Sequence, residues 1–183
     1  MIDLTDYLKG EPRERKLNRF SISELYYLLA GWTSIEEYVN GQKRTMHDYW
    51  TMQLGNLKHE WIQIHLKTLG YECEVKKVHE IDGLEIVGRA DALKEDHGLE
   101  IKTGKARDKA SSSQMFQAKM YCTLFELPEF HIVQPYINTD CAYLKTIGIA
   151  KRDDLWFGKQ ILKIKDKYQE IIEYKNANRN LSS

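Results

Sequence analysis

The stretch that decides the fold runs from Leu84 to Lys105: LEIVGRADAL at Leu84–Leu93, KEDHG at Lys94–Gly98 and LEIKTGK at Leu99–Lys105. Leu84–Leu93 reads as a strand, Glu95–Gly98 as a turn and Leu99–Thr103 as the next strand. Asp82-Gly83, just upstream, is a hairpin-type turn signal. It joins Leu84–Leu93 to a looser alternating run at Tyr71–His79. The three runs form an antiparallel meander. Side chains alternate faces along a strand, so Glu100 and Lys102 point one way while Leu99, Ile101 and Thr103 point toward a core. Asp91 sits between the small Ala90 and Ala92, and antiparallel pairing through the short turn brings it beside Glu100.

Outward from this meander the pattern is helical. Upstream, Ile22–Leu29 reads as a helix capped by Ser21 or Ser23 and ended by Gly31. A second short helix starts near Thr33 or Ser34 and ends at Gly41. A long one spans His47–Leu69 and stops at Gly70. It carries two apolar rows, Leu54, Leu57, Trp61, Ile64 and Ile62, Leu66, Leu69, and Gly55 weakens it locally. Residues 1–20 are polar and read as a surface lead-in. Downstream, Gly104–Ala110 is a basic loop and Ser111–Phe125 a helix. Phe130–Ile137 is a fourth strand, with Pro135 arguing against a central position, and Tyr143–Ile149 a fifth. Asp153–Tyr174 is an amphipathic helix whose face is Phe157, Ile161, Ile164, Tyr168 and Ile171, and the tail after Asn176 is expected to fray. The order implies an α/β fold: a central mixed sheet flanked by helices.

The bulk numbers agree with one globular domain over residues 1–183. The chain is 42% hydrophobic and 30% charged, with only three prolines. Lysine and arginine number 27, as do aspartate and glutamate. That balance excludes a polyanion binder working by total charge alone, but not a basic groove offset by acids elsewhere. Cys73, Cys122 and Cys141 are far apart and odd in number, so neither a zinc site nor a disulfide framework is expected. They read as reduced, partly buried thiols of a cytoplasmic protein. Met1–Gly10 has no apolar run of a signal peptide, and no stretch approaches a membrane span.

Acidic and basic side chains on a strand usually make a solvated face. Two acids converging on one face are costly unless a cation joins them. Carboxylate oxygens select hard divalent ions, which points to magnesium or manganese. Such an ion clamps a phosphate oxygen and acidifies bound water, and a lysine two residues away can position that water or stabilise negative charge. Asp91, Glu100 and Lys102 are therefore the expected catalytic set. Lys102, Lys105, Arg107, Lys109 and Lys119 against the single acid Asp108 make a plausible phosphate track, to which the Ser111–Ser113 helix start can add backbone amides.

GRADAL with LEIKTGK resembles motifs II and III of the PD-(D/E)XK nucleases, in their RecB-like branch. GNLKHEWIQIHL resembles that branch's first motif through Gly55 and His59, and QAKMY its QxxxY element through Gln117 and Tyr121. FSISELYYLL from Phe20 is similar to the branch's SxS start. The matches run in order from Phe20 to Tyr121. The resemblance implies a restriction-endonuclease-like core and metal ligation by His59, Asp91, Glu100 and the backbone carbonyl of Ile101. An imidazole ligand tilts the choice toward manganese. Glu60 would support the ligands. Gln117 and Tyr121, four apart on one helical face, would contact DNA or orient the lysine, with Lys105, Arg107, Lys109 and Ser113 also on DNA. Many relatives hold an iron–sulfur cluster with four cysteines. GWTSIEEYVNGQK has none, so no cluster is expected.

The expected function is hydrolysis of single- or double-stranded DNA by an exonuclease or single-strand-active nuclease, in repair, recombination or viral replication. Endonuclease action and a homo-oligomer stay open. A catalytically silent nucleic-acid-binding module is the alternative, with a hydrolase of some other substrate a third.

Overall fold

The computed structural model describes residues 16–41 and 45–180. Most of the polar lead-in and the last three residues of the tail lie outside them.

The meander forms as its turns require. β2 (Glu72–Ile81) pairs antiparallel with β3 (Leu84–Leu93) across Asp82-Gly83, where φ is 49° and 78°, the doubly left-handed pair of a tight hairpin. β3 pairs antiparallel with β4 (His97–Ile101). The connection is shorter than expected: Lys94 N donates to His97 O, and β4 begins at His97 rather than Leu99. β4 then ends at Ile101, so Lys102 lies just past the strand, its amide still donating to Val133 O.

Arg19–Ser21 forms a short strand, β1, parallel to β3 with Phe20 opposite Ile86. Phe20 is fully buried, so the end of the expected surface lead-in is core. β2 occupies one edge of β3 along its length, which leaves β1 and β4 to share the other. β5 (Glu129–Ile137) runs parallel to β4, and β6 (Ala142–Lys151) antiparallel to β5, completing a mixed six-stranded sheet. β5 is central despite Pro135. Its register with β4 ends at Ile101 opposite Val133, so Pro135 faces β6 only and the missing N–H leaves no gap in the β4 ladder.

The helices flank this sheet. α1 is Ile22–Leu29, as expected, with Ser21 at its N-cap but no side-chain cap; Ser21 and Ser23 hydroxyls bond each other instead. α2 (Ile35–Asn40), α3 (Met46–Thr68) and α4 (Ser112–Phe125) each begin with a capping box, from Ser34, Thr45 and Ser111. α5 (Asp154–Asn180) stays helical past Asn176, where fraying was expected. The larger core gathers Phe20, Leu25, Ile86, Met120, Phe130 and Ile164 among α1, α4, α5 and the sheet. A smaller one joins Ile62 and Leu66 of α3 to Ala92, Leu99, Ile101 and Val133. Of the two rows on α3, only Ile62 and Leu66 are buried; Leu69 and the whole Leu54–Ile64 row are exposed. Cys122 is buried and Cys73 half-buried, but Cys141 is exposed in the β5–β6 turn, and all three are free thiols. No helix among the described residues is long and apolar enough to cross a membrane.

Candidate active site

Asp91 and Glu100 are both buried. The register that pairs Ala92 with Leu99 brings them to the same level of the β3–β4 ladder. Asp91 Oδ2 accepts from Ile101 N at 2.6 Å. Glu100 Oε1 accepts from Lys102 Nζ at 2.5 Å, so Glu100 and Lys102 do share a side although the strand ends between them. His59 reaches in from α3, its Nδ1 3.5 Å from Asp91 Oδ1. Gly55, one turn earlier, faces the same way, and a Cβ there would meet Thr103 Oγ1 at 3.6 Å, an ordinary contact.

A second line of contacts leads from Lys102 into α4. Its Nζ donates to Gln117 Oε1 at 3.1 Å, Gln117 Nε2 donates to Tyr121 OH at 3.0 Å, and Tyr121 donates to the Arg89 carbonyl at 3.1 Å. The four-residue spacing of Gln117 and Tyr121 thus makes one relay tied to β3.

Electrostatics mark the cluster as strained for want of positive charge. Burial first, and then the charge of Asp91, push Glu100 up to about 7, against the pull of Lys102. Burial alone would lower His59, but the hydrogen bond and charge of Asp91, with Glu100 behind, hold it above 6.5. Glu100 Oε2 is buried without a hydrogen-bond partner, a costly arrangement that a cation would relieve. No group of three or more His, Cys, Asp and Glu among the described residues is drawn together as a metal site. Two of the relevant oxygens are already engaged, by Lys102 and by the Ile101 amide. The donors nevertheless suit a hard divalent ion: carboxylate oxygens, one of them orphaned, with an imidazole alongside.

The cluster opens on a cleft of about 340 Å³ lined by His59, Ile101, Lys102, Lys105, Arg107 and Gln114, among others. Lys105, Arg107 and Lys109 are exposed on the basic loop. Ser113 is half-buried beside Ser111 and Tyr27 at the start of α4. Glu60 is exposed on α3, outside these contacts.

Two buried glutamines escaped the sequence reading. Gln134 on β5 donates to the Gly104 and Lys105 carbonyls and accepts from Arg107 N, pinning the basic loop. Gln63 on α3 donates to the Asp91 carbonyl and to Glu74, which stands opposite Asp91 with φ 58° and breaks the β2 ladder there. The available signal was a polar residue amid apolar neighbours, as in Ile62-Gln63-Ile64 and Val133-Gln134-Pro135.

Compared by sequence, the chain matches no protein-family profile and no curated protein. Compared by structure, it matches an alkaline exonuclease, LHK-Exo from Laribacter hongkongensis, with a TM-score of 0.62 at 16% identity, covering 91% of this chain and 96% of that one. The chain shares the fold of that exonuclease. The same exonuclease in complex with dAMP matches with a TM-score of 0.62, covering 90% and 95%. The crystal structure of SSO0001 matches with a TM-score of 0.55 at 21% identity, covering 91% of this chain and 81% of that one. At such identities the likeness extends to the nuclease fold and not to a branch within it.

Proposed function

We propose that this chain is a divalent-metal-dependent deoxyribonuclease of the RecB-like PD-(D/E)XK kind, an exonuclease or a single-strand-active nuclease serving DNA repair, recombination or viral replication in the cytoplasm. The observation that carries the reading is the convergence of two buried carboxylates and one ammonium beside a basic cleft. The likeness to an exonuclease, one structure of which holds dAMP, supports a DNA substrate and favours end-directed cutting.

In this reading Asp91, Glu100, the Ile101 carbonyl and His59 would hold magnesium or manganese. When bound, the cation supplies a Lewis acid and a more acidic water. Lys102 holds the attacking water and faces the negative charge that grows on the phosphate oxygens. Water oxygen bonds to phosphorus as the bond to one sugar oxygen breaks, and that oxygen leaves with a proton. Gln117 and Tyr121 keep the ammonium aimed, while Lys105, Arg107, Lys109 and the Ser113 end of α4 receive flanking phosphates.

A silent DNA-binding module is the second reading, favoured by one oxygen each of Asp91 and Glu100 being already engaged, by the Ile101 amide and the Lys102 ammonium. Labelled single- and double-stranded DNA, linear and circular, incubated with manganese, magnesium or chelator, separates the two. Metal-dependent loss of linear DNA is expected, abolished by Lys102→Ala with circular dichroism unchanged. Binding without cutting in every metal, or full cleavage by Lys102→Ala, overturns the proposal.

A further inference from the structure

The α3 helix has two faces, and the sheet uses one. Ile62, Gln63 and Leu66 are buried against it, with His59 and Gly55 on the same side. On the opposite side Trp50, Leu54, Leu57, Trp61 and Ile64 are 50, 41, 61, 54 and 61% exposed. At 100° per residue these five fall within about 80° of arc. Their spacings are four, three, four and three, a mean period of 3.5, which is the repeat of a seam between two helices. In heptad terms Leu54 and Trp61 are a positions, Trp50, Leu57 and Ile64 are d positions, and the sheet-facing residues fall at b, c and f. Together the five leave roughly 500 Å² of apolar surface open, at the scale that marks an interaction site rather than scattered surface residues.

We propose that this stripe is a helix-pairing seam occupied by a second copy of the chain, α3 against α3 about a two-fold axis. A copy brings the same five apolar side chains to a contact that must be self-complementary. Two such stripes bury about 1,000 Å² in all, the lower bound of a specific interface. The flanking e and g positions permit self-pairing. With the helices parallel, Glu60 faces His65 of the partner subunit and Gln53 faces Lys58 of the partner subunit. With them antiparallel and Leu54 opposite Leu57 of the partner subunit, Glu60 meets Gln53 of the partner subunit and Lys58 meets Thr51 of the partner subunit. Neither direction sets like charges together. The pairing also gives α3, and with it His59, a second wall to lean on. It stands independently of the hydrolytic reading.

Light scattering or sedimentation of the full chain at micromolar concentration tests it. The expected mass is twice the 21.5 kDa of one chain. Leu57→Glu, and separately Leu54→Lys, should return it to a single-chain mass with an unchanged circular dichroism spectrum, since both side chains stand open in the isolated chain. A single-chain mass for the unaltered protein at about 100 μM overturns the proposal, since specific interfaces hold at about micromolar Kd or tighter. So does a dimer that persists in both variants.

Discussion

Lys102 leaves the sheet one residue after β4 ends, and its position depends on two side chains rather than on strand geometry. Glu100 draws the ammonium from below and Gln117 from α4. A hydrogen bond to a charged group is worth about 1.5–3 kcal/mol, or roughly 10–100-fold in rate if it is made only in the transition state. Gln117→Ala should therefore lower kcat of DNA cleavage by about that factor with KM within about twofold, because the relay aims Lys102 without gripping substrate. A rise in KM at constant kcat would mean that Gln117 binds DNA instead. The spacing of Asp91, Glu100, Gln117 and Tyr121 was open to reading because strand and helix periods fix which side chains share a face; Lys102 shares the side of Glu100 through its hydrogen bonds, past the end of the strand. Gln63 and Gln134 were not, because their roles consist of long-range bonds to backbone carbonyls of other elements.

Elements meet closely where β3 passes under α4. A Cβ at Gly88 would lie 2.3 Å from Leu124 Cδ2 and 2.9 Å from Tyr121 Cε1, so any side chain there forces Leu124 and the Tyr121 ring of α4 to shift. Gly88→Ala should cost about 1–3 kcal/mol in urea denaturation, the usual penalty of overpacking. It should also lower cleavage, since Tyr121 is tied to both Gln117 and the Arg89 carbonyl. Gly158→Ala in α5 is the control: its added methyl meets nothing within 4 Å, and helix propensity predicts a gain of up to about 1 kcal/mol. Equal effects at the two glycines would dismiss the packing argument. Helix limits were legible to within a residue or two wherever a cap or a left-handed glycine marks them, as at Ser34, Thr45, Ser111 and Gly70. The short β1 was not: three residues have no period, and Phe20 becomes core only through parallel pairing with Ile86, 66 positions later. Pro135 misled for a related reason, since whether it interrupts a ladder depends on where the neighbouring strand stops.

Across the whole molecule the charges cancel, 27 against 27, yet two acids are buried side by side with one oxygen unpartnered. That cost is carried by the fold unless a cation offsets it. A ligand that binds only the folded chain stabilises it by about 2.7 kcal/mol at a hundred times its Kd. For a domain of this length that is roughly 5–10 °C in Tm. Saturating manganese or magnesium should therefore raise the melting temperature of the unaltered protein by that amount, and chelator should remove the increment. Asp91→Asn and Glu100→Gln each keep the shape of the site but take away a charged ligand, so each should melt at nearly the same temperature with and without metal. Lys102→Ala should retain the shift while losing turnover, which separates holding the cation from using it. A melting curve of the unaltered protein that ignores both metals would show that the two acids are a structural cost with no cation to relieve it.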